Sequence, residues 1–497
     1  MDDYGKVYSM FNRFLEISPI KRQSLISVTS SIIVTLLGFI STMYFSHTLG
    51  KDLMGIYYLF IAYYGIFNMI GEFGFGQAAI KRISESSEKN EYLSAYVLLR
   101  SLCLIVSTLL FLLVSPYLID LKDVNLTFAI VVVLFVAAFS NIVTMGIRGL
   151  DHIGIYSIAS SLSEIFRISL QVILVLLGFS IFGLCGGCIV GVFMFGILCL
   201  KYFTFKPAKF GLRHIKSLFV YGFWIFLISA GSTIFTYADT IFVGYFMTAG
   251  DVGVYRTAFQ FTALAAFFAL AFQQTLTPKI SNWSANGQWE KIPSPVSRSI
   301  TISLILAIPV FIGSLMLADK LLYFFYGADF AAGATACMIL FLVQIISIFV
   351  TLLGVALTAS DHARQSFYAT AISAILNVIL NCLLIPTLGI NGAAVATLIS
   401  YSINAILIAY FLRRYIIIKI EFRAIFHIII SAVVMAFFVL LYKHFIPLDN
   451  VILTIIPVVV GACLYIFLLL KIDSGIRDDI ADVVTTLGLP WPKWLWG

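Results

Sequence analysis

Long apolar runs separated by short polar breaks follow one another along the whole chain. A run of about 20 apolar residues crosses a bilayer as a helix, and breaks at charged, glycine or proline stretches divide this chain into fourteen predicted spans. The spans cover residues 23–47, 54–77, 94–118, 125–147, 153–177, 180–201, 217–246, 252–276, 299–318, 333–359, 366–386, 391–412, 423–442 and 451–471. The pattern therefore predicts an all-α polytopic membrane protein with 14 transmembrane helices.

Composition supports this prediction. Of 497 residues, 61% are apolar and only 11% are charged, and the mean hydropathy is +1.03, whereas about a quarter of a soluble domain is charged. The seven cysteines all lie in apolar runs, where we expect them to pack as small hydrophobic residues rather than form disulfides, including the pair Cys185 and Cys188. The first run is too long for a signal-peptide core and is expected to remain in the mature protein.

The basic residues predict the orientation. Fourteen spans place both termini and every even-numbered connection on one side, and these segments hold 24 of the 31 lysines and arginines, against four on the other side. Cytoplasmic loops carry the excess of Lys and Arg, so both termini are predicted to be cytoplasmic. An apolar stripe at Val7–Leu15 and the tryptophans Trp491, Trp494 and Trp496 predict interfacial segments at the two ends.

Two sequence segments recur in order, which indicates a duplicated half. Gly55-Ile56-Tyr57 is repeated as Gly253-Val254-Tyr255 at a spacing of 198 residues, and Leu150-Asp151-His152 corresponds to Ser360-Asp361-His362 at 210. Six spans separate the copies, so both halves keep the same orientation, and two six-helix bundles around a central cavity are expected. The predicted segments are an N-terminal segment 1–22, a first lobe 23–201, a basic linker 202–216, a second lobe 217–412, a connection with helices 13 and 14 at 413–471, and a tail 472–497.

Three stretches carry a family resemblance. They are His47–Tyr57 followed by Gly71–Gly76, Phe325–Phe330 before span 10, and Leu388–Ala394 before span 12. With the span count and the duplication, the whole chain resembles O-antigen and related repeat-unit flippases (Wzx type) of the multidrug/oligosaccharidyl-lipid/polysaccharide exporter superfamily. The resemblance implies translocation of an undecaprenyl-pyrophosphate-linked oligosaccharide across the bacterial inner membrane by alternating access, with a polysaccharide polymerase and chain-length proteins as partners.

Three arginines near span ends are candidate substrate-binding residues, because a guanidinium fork matches a pyrophosphate. They are Arg256, Arg148 and Arg167. Arg167 lies three residues from Glu164 and Arg148 three from Asp151, a spacing that allows local ion pairs, whereas Arg256 has no such neighbour. No phosphate-binding GxxxxGK[ST] motif is present, so we expect the driving energy to come from an ion gradient or from the substrate gradient rather than from ATP.

A polar stripe on span 7 contains a carboxylate that could couple transport to an ion. Asp239 shares the stripe with Ser229, Ser232, Thr233, Thr236 and Thr240. Asn377 and Asn381 share a face of span 11, and Thr397, Ser400, Tyr401 and Asn404 lie on span 12. The resemblance extends to the sodium site of the related lipid II flippases, although Asn381 stands where a carboxylate is expected. Either these groups hold a hard cation such as Na⁺, or they are hydrogen bonds between helices.

Glu72 on span 2 is the second candidate coupling group, either as a proton carrier or as a carboxylate satisfied by Arg256 or by backbone at the adjacent glycines. The six histidines are scattered without metal-ligand spacing, so no metal other than Na⁺ is expected. A multidrug cation exporter of the same superfamily is the alternative function. A membrane polysaccharide polymerase is disfavoured because the predicted external loops are short and carry no carboxylate pair.

Overall fold

The computed structural model describes residues 19–118, 126–478 and 481, and these residues are almost entirely helical. Fifteen α-helices follow one another: α1 Pro19–Glu72, α2 Phe75–Glu85, α3 Lys89–Val114, α4 Thr127–Gly149, α5 Ile153–Leu176, α6 Ser180–Leu200, α7 Leu212–Phe246, α8 Ala249–Thr262, α9 Phe267–Ala285, α10 Pro293–Tyr326, α11 Ala334–Thr358, α12 Ala363–Leu388, α13 Ile390–Leu412, α14 Phe422–Phe445 and α15 Val451–Ile472. The predicted interfacial stripe Val7–Leu15 and the three C-terminal tryptophans lie outside the described residues.

Within the described residues, thirteen helical stretches are long and apolar enough to cross a membrane, and the first of them accounts for two predicted spans. Helix α1 is 54 residues long and passes through Gly50, whose backbone is not helical (φ 78°, ψ 175°). The 40 residues Ile33–Glu72 would extend about 60 Å at 1.5 Å per residue, roughly twice the thickness of the hydrocarbon core. The all-α polytopic fold is therefore confirmed, with α1 divided at Gly50 into two segments.

The helices pack into two units. The first contains residues up to Leu49 together with Leu59–Thr233, and the second contains Gly50–Tyr58 and the chain from Ile234 onward. The division falls within α7, C-terminal to the predicted linker 202–216.

Repeated sequences adopt the same local structure in both units. Asp151 and Asp361 are both left-handed, with φ 64°, and the following histidines donate backbone hydrogen bonds to Ile147 and Leu357, again 210 residues apart. Helices α5 and α12 begin at Ile153 and Ala363, and α6 and α13 begin at Ser180 and Ile390. The 210-residue spacing therefore relates equivalent helix starts.

The other repeated segment packs against its own copy inside the second unit. A Cβ atom built on Gly55 would overlap the carbonyl oxygen of Ala249, and one built on Gly253 would overlap that of Lys51. These two pairs are related by the same 198-residue spacing, so α1 and α8 cross with their backbones in contact. Only glycine leaves room for such an approach.

The linker before α7 is held against the start of α3 in the first unit. The Asn90 and Ser94 side chains accept hydrogen bonds from the backbone N–H groups of Lys206 and Ala208, at 3.2 and 3.0 Å. One carboxylate oxygen of Glu88 forms an ion pair with Arg213, and the other is hydrogen-bonded to His214 Nε2 at 3.0 Å. His214 is almost fully buried, with 3% of its side chain exposed.

This contact predicts a pH dependence of stability. The hydrogen bond from His214 holds the pKa of Glu88 below its usual value; partial burial opposes this effect, and Arg213 adds to it. A lowered pKa contributes stability above the ordinary carboxylate value, about 4.3, and the contribution is lost as the pH falls through the folded-state value. We expect Glu88→Gln to lower the melting temperature in detergent at pH 7, and the difference from wild type to close as the pH is lowered below the ordinary carboxylate pKa.

Glu91→Gln is the matched control, because it removes a carboxylate from the first turn of the same helix. It should leave the melting temperature at pH 7 close to wild type. A Glu88→Gln protein that melts like wild type at pH 7 would show that the linker contact does not contribute to stability.

Candidate functional site

A buried carboxylate is the centre of the candidate ion site in the second unit. Asp239 on α7 is 4% exposed. Its Oδ2 accepts hydrogen bonds from Tyr255 Oη on α8, at 2.7 Å, and from Thr397 Oγ1 on α13. Its Oδ1 accepts from Asn381 Nδ2 on α12 at 2.6 Å, and the same amide nitrogen lies 3.0 Å from Asn377 Oδ1. Four helices therefore meet at one carboxylate.

Local sequence explains how these helices come together. Asn377 and Asn381 are one turn apart on the buried face of α12, together with Ser373 and Ile385. Gly392 lies at the start of α13, and a Cβ atom there would overlap the Leu384 carbonyl oxygen. The missing side chain lets α13 pack closely on α12, which places Thr397 beside the asparagines.

The donor set fits a monovalent hard cation. Asp239, Asn377 and Thr397 bring four side-chain oxygens to one buried place, where Asn381 contacts two of them through Nδ2, and oxygen is the ligand of hard cations. Asn381 Oδ1 is buried without a hydrogen-bond partner. Asp239 forms no ion pair with any lysine, arginine or histidine of the described chain. A buried charge without a counterion is costly, and one sodium ion would balance it.

The polar stripe on α7 changes character along its length. Ser232 and Thr236 are exposed, whereas Asp239 and Thr240 are buried. On α13, Ser400 donates to the Ala396 carbonyl oxygen and Tyr401 packs against Phe235 of α7. Ser400 and Tyr401 therefore lie outside the oxygen set around Asp239.

Glu72 is engaged by backbone at the end of α1. Its two oxygens accept hydrogen bonds from the N–H groups of Gly74, at 2.8 Å, and Gly76, at 2.6 Å. Phe73 and Gly74 are left-handed there, so the chain turns sharply before α2 begins at Phe75. The carboxylate thus occupies the N-terminus of α2, where negative charge is favoured.

The three candidate arginines have different surroundings. Arg167 binds Glu164, with Nε at 2.9 Å and Nη2 at 2.6 Å, and also donates to Gln171. Arg148 does not pair with Asp151; its guanidinium lies 4.9 Å from the ring centre of Tyr156. The spacing that allowed an Arg148–Asp151 ion pair does not produce one, because α4 ends at Gly149 and the left-handed Asp151 lies beyond the helix.

Arg256, like Arg148, has no carboxylate partner among the described residues. One guanidinium nitrogen is 3.4 Å from the Thr236 carbonyl oxygen, and the group lies 5.0 and 6.0 Å from the ring centres of Phe259 and Tyr58. Neutral partners leave its positive charge uncompensated among the described residues. Arg256 and Arg148 are therefore both available to an anion, whereas Arg167 is held by Glu164.

Sequence reasoning missed Arg100. This side chain is fully buried on α3. Nη2 donates to Asn68 at 2.9 Å, whereas Nε and Nη1 have no hydrogen-bond partner among the described residues. Gly71 makes room for the guanidinium, because a Cβ there would lie 2.7 Å from Nη1. The signal was present in the sequence, since Arg100 lies six residues inside the predicted span 94–118.

Comparison with known proteins places this helical architecture. The model of the polysaccharide biosynthesis protein family matches residues 20–284. The chain belongs to this family. The MatE model also matches, over residues 225–383. The resemblance to flippases of the polysaccharide exporter superfamily is confirmed, and the protein is a transporter rather than an enzyme.

Two archaeal relatives match most of the chain. The probable low-salt glycan biosynthesis flippase Agl15 of Haloferax volcanii is 29% identical over 437 residues, which cover 86% of this chain and 91% of the relative. The probable flippase AglR of the same organism is 27% identical over 473 residues, with 93% and 98% covered.

Solved structures show the same fold. The lipid II flippase MurJ in an inward closed conformation has a TM-score of 0.77 at 19% identity, with 92% of this chain and all of that chain covered. An inward-facing multidrug resistance MATE transporter has a TM-score of 0.63 at 15% identity, with 77% and 94% covered.

Proposed function

We propose that this protein is a flippase that moves a polyprenyl-linked oligosaccharide between membrane leaflets by alternating access, driven by sodium binding at Asp239. The observation that carries the ion coupling is the buried Asp239 carboxylate, which accepts hydrogen bonds from Tyr255, Asn381 and Thr397 on three other helices and has no basic partner among the described residues. The two Haloferax volcanii relatives are named as flippases, one of them in glycan biosynthesis, which supports a glycolipid substrate.

The finer substrate assignment is an undecaprenyl-pyrophosphate-linked repeat unit of the O-antigen type, carried across the bacterial inner membrane with both termini in the cytoplasm. A polysaccharide polymerase and chain-length proteins would then act on the delivered unit. The two relatives come from an archaeon. We therefore propose first the substrate features that bacterial and archaeal glycolipids share, which are a lipid anchor, one or two phosphates and a glycan.

Sodium would be held by Asp239, Asn377, Asn381 and Thr397. The ion would supply one positive charge that neutralises the carboxylate. Ion binding would then be coupled to a conformational change, because the charged and the neutralised cluster favour different packings of the four helices that meet at Asp239. A proton on Asp239 would balance the same charge, so the choice between Na⁺ and H⁺ is decided by the gradient that drives transport.

Reconstitution in liposomes tests the proposal. A fluorescent polyprenyl-diphosphate sugar is placed in the membrane, and its appearance in the opposite leaflet is followed with an imposed sodium or proton gradient. We expect movement of the lipid that a sodium gradient accelerates. If the lipid stays in place while a cationic dye is exported, the protein is a multidrug exporter and not a flippase. The MatE match over residues 225–383 is the observation that favours this alternative.

Arg256 is expected to hold the phosphate of the substrate. Its charge has no carboxylate partner among the described residues, and hydrogen bonds to charged groups contribute about 1.5–3 kcal/mol. Arg256→Gln should therefore lower the apparent affinity for the lipid about 10- to 100-fold, measured from the concentration dependence of flipping.

The control is Lys279→Gln, which removes the same charge from an exposed position. It should leave the affinity within about twofold of wild type. Equal losses in the two variants would assign the effect to overall charge and not to Arg256.

A further inference from the structure

Two arginines at one end of the α12–α13 pair are each oriented by a tyrosine four residues away in the chain. Arg364 Nε donates to Tyr368 Oη at 2.8 Å, and Arg414 Nη2 donates to Tyr410 Oη at 2.7 Å. Each guanidinium also lies over the ring of its tyrosine, at 5.4 and 4.8 Å from the ring centre. Arg364 and Tyr368 meet on the surface of α12 at the four-residue helical spacing. Arg414 lies in the turn after α13 ends at Leu412, and its side chain reaches back to Tyr410.

The two pairs belong to one surface. Helices α12 and α13 run antiparallel through the connection at Gly389, so the start of α12 and the end of α13 lie at the same end. Gln365 Nε2 donates to Tyr415 Oη at 3.2 Å, and the His362 ring lies 3.6 Å from the Tyr415 ring. We name the five residues Arg364, Tyr368, Tyr410, Arg414 and Tyr415 the Arg–Tyr patch.

The partners of these arginines are neutral, so their charges stay available. Arg364 uses one of its donors on Tyr368, and the phenol that accepts this bond keeps its own O–H to donate. Arg413 adds a third positive charge, and Asp361 is the acidic residue in the adjoining turn. The patch is thus positive and rich in donors that fit the oxygens of a phosphate.

Nearby polar atoms also lack partners. Ser360 is 1% exposed, and its Oγ has no hydrogen-bond partner among the described residues; the same holds for the buried Nδ1 of His362. Helix α12 has no acidic residue in its first turn and no side-chain cap. A cation in the first turn of a helix is electrostatically unfavourable. Arg364 therefore does not stabilise α12 through its charge, and its presence there is not explained by folding.

The first half of the chain shows that the fold does not require this patch. At the 210-residue spacing, the positions of Arg364, Tyr368, Tyr410 and Arg414 are held by Gly154, Ile158, Leu200 and Thr204. The turn around Asp151 nevertheless has the same backbone as the turn around Asp361. The arginines and tyrosines are therefore an addition to the second half.

We propose that the Arg–Tyr patch binds the phosphate of an anionic phospholipid headgroup. The patch lies at the ends of two apolar helices, where tyrosine side chains occupy the membrane–water interface and basic residues meet lipid phosphates. Tyr368, Tyr410 and Tyr415 are exposed, so a lipid reaches them from the bilayer. This site is separate from the oxygen cluster at Asp239 and does not depend on the proposed transport function.

Native mass spectrometry of the purified full chain tests the proposal, with phosphatidylglycerol compared with phosphatidylcholine. We expect one retained phosphatidylglycerol in wild type. Each basic residue near a membrane surface contributes about 1 kcal/mol to binding of anionic lipid, so Arg364→Gln with Arg414→Gln should weaken this binding about thirtyfold. Tyr368→Phe with Tyr410→Phe keeps the charge and should cause a smaller loss.

The matched control is Lys206→Gln with Lys209→Gln, which removes two exposed charges from the linker of the first half. It should change binding less than twofold. Equal loss in the control, or no loss in the arginine pair, would overturn the patch as a site. Displacement of the lipid by millimolar inorganic pyrophosphate would assign the patch to a free phosphate compound instead, and melting temperatures check that all variants are folded.

Discussion

Replacement of Asp239 by asparagine is expected to abolish the sodium dependence of transport. The substitution keeps the size of the side chain but removes the negative charge at the centre of the oxygen cluster. Loss of an outer partner of a bound metal already costs about 10- to 100-fold in affinity, so loss of the charged ligand should raise the half-saturating sodium concentration more than about 100-fold. The measurement is the flipping rate in liposomes against sodium concentration.

Tyr255→Phe is the control for this experiment. Tyr255 donates a hydrogen bond to Asp239 but supplies no carboxylate, and its replacement keeps the aromatic packing. We expect transport to remain dependent on sodium, with the half-saturating sodium concentration changed by less than about tenfold. If Asp239→Asn protein, folded by its melting temperature, still responds to sodium as wild type does, the cluster is a set of hydrogen bonds between helices and the coupling site lies elsewhere.

Replacement of Gly253 by leucine is expected to prevent folding. A Cβ atom at this position would overlap the Lys51 carbonyl oxygen, and the facing Gly55 has the same relation to the Ala249 carbonyl oxygen. Backbone atoms cannot rotate away as side chains do, so α1 and α8 would have to separate. Overpacking of a core commonly lowers the free energy of unfolding by about 1–3 kcal/mol. A clash with backbone atoms is expected to cost at least the upper value of this range. Size-exclusion chromatography in detergent should show no monodisperse protein.

A glycine without close neighbours provides the comparison. Gly186 lies inside α6 with no atom within 4 Å of a built Cβ, and glycine to alanine in a helix stabilises by about 0.5–1 kcal/mol. Gly186→Ala should therefore give monodisperse protein with an equal or higher melting temperature. A Gly253→Leu protein that purifies and melts like Gly186→Ala would refute the close crossing of α1 and α8.

The candidate site was predicted in part, because some of its features are local. The turn-by-turn spacing of Asn377 and Asn381 and the polar stripe on α7 follow from helical periodicity, which is read directly from the residues. Tyr255 was missed, since its hydroxyl reaches Asp239 from another helix. Glu164–Arg167 and Arg148–Asp151 have the same spacing, yet only the first pair lies within one helix, and helical spacing has no meaning once a helix has ended.

The membrane-spanning helices and the repeat could be recognised from the residues alone. Spanning segments are a property of about 20 consecutive residues and their apolar surface, so each can be recognised without its neighbours, and the copies of the repeat can be compared residue by residue. The packing of the helices, in contrast, was needed to show which charges are buried and which partners they meet. Arg100, Glu72 and Asp239 all lie in or beside apolar runs, but their partners come from other helices or from turns, and such contacts depend on packing between segments distant in the chain.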